Sequence, residues 1–146
     1  MSPPASEETV SLPSPELFSL VNQTALITGG SRGIGASIAL ALAEAGAAVC
    51  IAQRDVANTS TRDAIRAKGH KADIVYCDLR DVVSVKGVFG GALEVLGGRI
   101  DILVNCGGLL KRSDSTKISE ADWDEVSPSM PPVLFLDDSL FYHEKS

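Results

Sequence analysis

The sequence predicts an α/β protein built on a doubly wound parallel sheet of four strands in the order 3-2-1-4. Three observations lead there. Short apolar runs alternate with helix-prone segments along the middle of the chain. Turn and cap residues punctuate every change from one to the other. All thirteen glycines lie between Gly29 and Gly108, whereas all seven prolines lie outside that span. Strands alternating with helices of about 10–15 residues pair in parallel through crossovers rather than as hairpins. A chain of 146 residues, 45% of them apolar, has room for one domain with a genuine core, which excludes wholesale disorder.

Thr24-Ala-Leu-Ile-Thr28, closed by Gly29-Gly30, has the form of a strand buried on both faces. Ile34 to Ala45 is small, apolar and helix-prone, with Gly46 as its C-terminal stop. Ala47 to Ala52 reads as a second buried strand. Asn58 or Thr59 caps a helix that runs to Lys68, with Ile65 on its inner face and Gly69 behind it. Ala72 to Cys77 is the third strand. Asp81 caps a helix with Val82, Val85, Val88, Phe89, Leu93 and Leu96 at helical spacing, stopped by Gly97-Gly98. Ile100 to Asn105 is the fourth strand, and Ser119 to Val126 opens another helix behind a Ser-x-x-Asp capping box.

Composition divides the chain into three. Residues 1–16, rich in Ser, Pro and Glu, read as a disordered leader, 17–126 carry the regular strand–helix pattern, and 127–146 form a tail of different texture. A net charge of −6 argues against binding nucleic acid or an anionic membrane nonspecifically. No apolar run approaches the ~18 residues of a spanning helix. Cys50, Cys77 and Cys106 are odd in number and contain no C-x-x-C pair, which suits neither a disulfide framework nor a zinc site; the expected compartment is the reducing cytoplasm.

Thr28-Gly29-Gly30-Ser31-Arg32-Gly33-Ile34-Gly35 carries the strongest chemical signal. It leaves the first strand and enters the first helix, where a diphosphate meets free N–H groups and the positive end of the helix dipole. A Cβ on that turn would block close approach of the backbone. The spacing is G-x-x-x-G-x-G, and the Walker lysine is absent.

This run resembles the cofactor motif of the short-chain dehydrogenase/reductases. Cys77-Asp78-Leu79 is similar to that family's adenine-contacting Asp after the third strand, Asn105-Cys106-Gly107-Gly108 to its Asn-Asn-Ala-Gly turn, and Asp122-Trp123-Asp124-Glu125-Val126 to the start of the following helix. Cys106-Gly107 in place of Asn-Ala is a departure. The resemblance implies a Rossmann-type fold and an NADP or NAD cofactor. In it Gly29, Gly33 and Gly35 face the diphosphate with Ser31 and Arg32 in the same loop, and Ile34 offers its backbone N–H. Asp78 accepts from the adenine amino group with Leu79 packing nearby; Asn105 supports the sheet, and Gly107 allows close approach. For Asp78 the plainer alternative is a turn or capping aspartate.

An NAD site places an acidic residue on the ribose 2′-OH, whereas a 2′-phosphate calls for arginine. The second strand ends Ala52-Gln53-Arg54-Asp55, so Arg54 together with Arg32 favours NADP, while Asp55 suits an unphosphorylated ribose. In the resembling family an Asn, a Ser and a Tyr-x-x-x-Lys pair do the chemistry, the lysine lowering the tyrosine pKa for proton exchange. Here Ser127-Pro-Ser-Met130 stands where the Asn belongs, and the Ser strand and Tyr/Lys helix have no counterpart. Tyr142-His-Glu-Lys145 has the wrong spacing. The expectation is therefore a truncated member, an NAD(P)-dependent oxidoreductase by family with no catalytic residues of its own. The alternative is a noncatalytic nucleotide-binding fragment acting through a partner. Leu109-Leu-Lys-Arg112 and Gln53-Arg-Asp55 resemble the branch acting on sugar acids such as 2-deoxy-gluconate. A fourth strand left at the sheet edge, with apolar residues suited to burial on both faces, is also expected to promote self-association.

Overall fold

The computed structural model describes residues 14–108 and 119–122. Four strands form one parallel sheet: β1 (Thr24–Thr28), β2 (Ala48–Gln53), β3 (Ala72–Tyr76) and β4 (Ile102–Asn105). Their order is β3-β2-β1-β4, as the alternation of strand and helix predicts. In register, Leu26 of β1 stands between Cys50 of β2 and Leu103 of β4. The connections are helical: α2 (Gly33–Glu44), α3 (Ser60–Ala67) and α4 (Val82–Leu96), preceded by a single turn, α1 (Ser14–Leu17). That turn begins inside the span read as a leader.

Alternation along the strands explains the two-sided core. Ala25, Ile27, Val49 and Ile51 point to one face, where they pack with Ala39 and Ala43 of α2 and Ile65 of α3. Leu26, Cys50 and Ala52 point to the other, against Val85, Val88, Phe89 and Ala92 of α4. Period-two strands can serve helices on both sides only when nearly every residue is apolar, as these runs are. Alanine at the inner positions of α2 lets that helix lie close to the sheet. Val82, expected on the inner stripe of α4, is instead 53% exposed at the first residue of the helix.

The caps follow local chemistry. Asp81 Oδ1 accepts from the N–H of Val83 at 2.9 Å, and Gly97 ends α4 in the left-handed region at φ 79°. At α3 the capping position belongs to Thr59, whose hydroxyl donates to Asp63 instead of capping, while Asn58 Oδ1 accepts from Ser60 N–H at 3.3 Å. Ser119 Oγ accepts from the N–H of Asp122 at 3.1 Å, one half of the expected capping box.

β4 starts at Ile102, two residues later than its apolar run suggests. The N–H of Thr24, which would otherwise extend the ladder, donates to Asp101 Oδ2 at 2.8 Å. The Thr24 hydroxyl and Arg99 Nε each add a bond to the same oxygen at 3.0 Å. Desolvation tends to raise the Asp101 pKa, but the bonds from Thr24 and Arg99 outweigh it and hold the carboxyl below its ordinary value. The Trp123–Val126 helix start and the 127–146 tail lie outside the described residues.

Candidate functional site

At the carboxyl end of the sheet, where β1 hands over to α2, lies a cavity of about 590 Å³. Ligands of open α/β sheets bind at this end, where neighbouring crossovers diverge to opposite faces. Its lining draws on the turn after β1 (Gly29, Ser31 and Arg32, with Gly33, Ile34 and Gly35 opening α2), the end of β2 (Ala52, Gln53, Arg54), the segment after β3 (Cys77, Asp78, Leu79, Arg80) and the turn after β4 (Cys106, Gly107, Gly108). Ten of the eleven residues singled out in the sequence therefore line one cavity. Asn105 does not: it is exposed at the end of β4 and paired in register with Thr28.

The glycines are required for different reasons. A Cβ on Gly29 would sit 2.5 Å from Gly107 Cα, backbone against backbone, and a Cβ on Gly35 would sit 2.3 Å from the Gly29 carbonyl oxygen. These two let the crossing segments close on each other. Gly33 differs. Its φ is 56°, and a Cβ there would meet no protein atom within 4 Å. The space beside Gly33 is open, as a backbone cradle for a ligand must be.

The first turn of α2 has no intrahelical acceptors for its N–H groups, and Arg32 at the N-cap supplies no side-chain acceptor. Positive partial charge thus faces the cavity. Arg32 and Arg54 are exposed at its rim, and neither forms an ion pair among the described residues.

Asp78 is held firmly. Its Oδ1 accepts from the N–H of Arg80 at 3.0 Å and from Arg80 Nε at 3.1 Å, while Oδ2 accepts from Arg80 Nη2 at 3.0 Å. These bonds, with smaller help from the Arg54 charge, bring its pKa down to about 2. The carboxylate is ionised at neutral pH. The sequence reading missed Arg80, since a guanidinium two residues from a carboxylate is too common a pattern to read as a fork. It also missed Gln53, a polar side chain only 6% exposed at the end of a buried strand.

Thr28 ties the walls together: its Oγ1 accepts from the N–H groups of Cys106 and Gly107 at 3.2 and 3.1 Å. Leu79 lies against the same turn, since a Cβ on Gly107 would come within 2.4 Å of its Cδ1. Cys77 and Cys50 are buried thiols; desolvation raises both, with Cys50 pushed up to about 12, so neither is a nucleophile at neutral pH. No group of three or more His, Cys, Asp or Glu side chains suited to a metal occurs among the described residues. No helix of the described residues is long and apolar enough to cross a membrane.

Comparison with known proteins decides the family. The family profile for short chain dehydrogenases matches residues 23–129. The chain belongs to the short chain dehydrogenase family. Gluconate 5-dehydrogenase of Gluconobacter oxydans is 37% identical over 132 residues, which are 88% of this chain and 51% of that protein. 2-Dehydro-3-deoxy-D-gluconate 5-dehydrogenase of Escherichia coli is 34% identical over 127 residues, covering 86% of this chain and 49% of the other. Among solved structures, a 3-oxoacyl (acyl-carrier-protein) reductase from Agrobacterium tumefaciens with NADP bound superposes with a TM-score of 0.76 at 28% identity, over 87% of this chain and 50% of that one. The chain spans about half the length of the curated short chain dehydrogenases it matches. Similarity to sugar-acid dehydrogenases agrees with the branch that Gln53-Arg-Asp55 and Leu109-Leu-Lys-Arg112 resemble.

Proposed function

We propose that this chain is the nucleotide-binding portion of an NAD(P)-dependent oxidoreductase, that it takes NADP(H) in preference to NAD(H), and that these 146 residues alone do not turn over substrate. The open cradle at Gly33 carries the reading. It combines a left-handed glycine, unobstructed space and an uncapped helix start at one point, which is what a diphosphate requires.

In this reading Gly29, Gly33 and Gly35 allow the diphosphate to approach, Ser31 borders it, and the Ile34 N–H donates to it. The side chain of Ile34, 75% exposed, has no part in the core and is free to cover the ligand. Arg32 and Arg54 meet the ribose 2′-phosphate, where two guanidinium groups suit a dianion better than a diol. Asp78 takes the adenine amino group on the Oδ2 lone pair left over from Arg80, and Leu79 packs beside the ring. Gly107 keeps the opposite wall low, and Asn105 holds β4 against β1 behind it. The NADP found with the Agrobacterium reductase supports the choice of cofactor.

When bound, the nicotinamide would supply a hydride acceptor or donor. Proton exchange then needs a phenol and an ammonium in fixed geometry. The 146 residues contain no Tyr-x-x-x-Lys pair, and Tyr142 and Lys145 are spaced by three. A sugar acid of the gluconate type is the proposed substrate of a full-length relative of this chain. Free thiols at Cys50, Cys77 and Cys106 suit the cytoplasm.

Isothermal titration with NADP and NAD, beside an absorbance assay with gluconate-type substrates, tests the reading. A lower Kd for NADP than for NAD, without nicotinamide turnover, is expected. Equal Kd values or absence of binding would refute the cofactor assignment, and sustained turnover would refute the inactivity.

A further inference from the structure

Gln53 ends β2 with a buried carboxamide used in an unusual way. Its Nε2 donates both protons to backbone carbonyls of the following loop, Asp55 O at 2.5 Å and Asn58 O at 2.7 Å. Those two carbonyls are the ends of one turn, because the Asn58 N–H donates to Asp55 O at 3.2 Å. Asp55 Oδ1 tightens the same turn by accepting from Ala57 N–H at 3.1 Å. One side chain therefore pins both ends of the β2–α3 turn to the rim of the cavity it lines. Arg54 is the single residue between the pin and the turn.

The other half of the amide is not satisfied. Gln53 Oε1 is buried and has no hydrogen-bond partner. An unpaired buried acceptor is a cost that leucine or methionine at this apolar strand end would avoid. Stability of the sheet does not explain glutamine here. Holding the turn does, since an amide NH2 donates to two carbonyls from one point without burying a charge.

We infer that Gln53 is a positioning residue for the nucleotide: by tying the Asp55–Asn58 turn to the end of β2, it fixes the backbone of Arg54 at the cavity rim and so sets discrimination between NADP and NAD. This rests on the proposed cofactor reading. Gln53 acts through Arg54, so its loss matters only to the ligand that Arg54 reads.

The full chain is used for the test, with NADPH and NADH titrated by cofactor fluorescence into wild type, Gln53→Met, Arg54→Gln and the two substitutions combined. Gln53→Met is expected to weaken NADPH about tenfold, the scale of a lost charge-assisted bond, and to leave NADH unchanged. In the combined variant NADPH binding falls no further than in Arg54→Gln alone, and amide exchange across 55–58 quickens wherever Gln53 is replaced. Gln53→Asn, whose shorter amide cannot span both carbonyls, is expected to behave in the same way and serves if the methionine variant does not fold. Additive losses, equal weakening of both nucleotides, or unchanged exchange at 55–58 would overturn the role of Gln53 while leaving the cofactor reading intact. Failure of wild type to bind either nucleotide would instead overturn the cofactor reading, and the inference with it.

Discussion

The hydroxyl oxygen of Thr28 accepts a hydrogen bond from the N–H of Gly107 at 3.1 Å, joining the last residue of β1 to the turn after β4. A second bond from Cys106 N–H at 3.2 Å reaches the same oxygen. One side chain thus holds together two cavity walls that are 79 residues apart in the chain. Thr28→Val keeps the shape and removes the acceptor. It should cost about 1–3 kcal/mol, since two partly buried donors lose their partner. Chemical denaturation measures this, and a variant as stable as wild type would show that water replaces the hydroxyl.

The two glycines that meet behind the cradle should respond differently to a methyl group. Gly29→Ala places a Cβ 2.5 Å from the Gly107 backbone at a φ of 69°, and neither can yield. Gly107→Ala presses chiefly on the terminal Cδ1 of Leu79, which can rotate away. Gly29→Ala is therefore expected to lower Tm by several degrees more than Gly107→Ala, as read by calorimetry. The reverse order would mean that the β1 turn relaxes more easily than its geometry implies.

Thiol chemistry offers a probe of occupancy. Cys50 and Cys77 are buried with raised pKa values, whereas Cys106 is half-buried and lines the cavity. Among the three, Cys106 should react first with iodoacetamide at neutral pH, and saturating NADP should slow it. Mass spectrometry of the labelled peptides reads both effects. Labelling of Cys106 at the same rate with and without nucleotide would place the ligand elsewhere.

The Cys50 thiol gives stability a definite alkaline limb. Desolvation lifts its pKa from 9.0 to about 12, so the folded state resists losing this proton while the unfolded state gives it up readily. The resulting stabilisation is fully present below about pH 9, the unfolded value, and is lost progressively as pH rises toward 12. Urea unfolding at pH 7.5 and pH 10 should show a drop in wild type that Cys50→Ala reduces. Equal drops in the two proteins would assign the alkaline loss to other groups.

Self-association through the sheet edge is a proposal that solution measurement tests. β4 lies at the end of the described strand order, and its Ile102, Leu103 and Val104 are only half-buried. Backbone groups along such an edge can pair with a second chain. Sedimentation over a range of concentrations should show association that grows with concentration, and a monomer throughout would contradict it.

Much of this fold was legible because its signals are local. Ala-Leu-Ile between Thr24 and Thr28, Asp81 before an apolar helix and Gly97 after it each act within a few residues, and each stands where the pattern puts it. The cavity was legible for a related reason: in a parallel α/β sheet every strand end reaches the same edge, so residues read singly from four strand ends arrive together. What the sequence hid depends on side-chain partners. Asp101 shortens β4 by capturing the Thr24 N–H, Arg80 forks onto Asp78, and Gln53 reaches forward to Asp55 and Asn58. None of these choices leaves a periodic trace, because a carboxylate or amide of the same type satisfies periodicity whichever partner it takes.

The central claim is that the turn from Thr28 to Gly35 receives the diphosphate of a dinucleotide at Gly33. Titrating NADPH into wild type and Gly33→Val by cofactor fluorescence tests it most directly, with far-UV circular dichroism verifying that the variant remains folded. A valine side chain would occupy space that no protein atom fills. Saturable enhancement in wild type and none in folded Gly33→Val is the predicted result. Equal binding by both proteins would contradict the account.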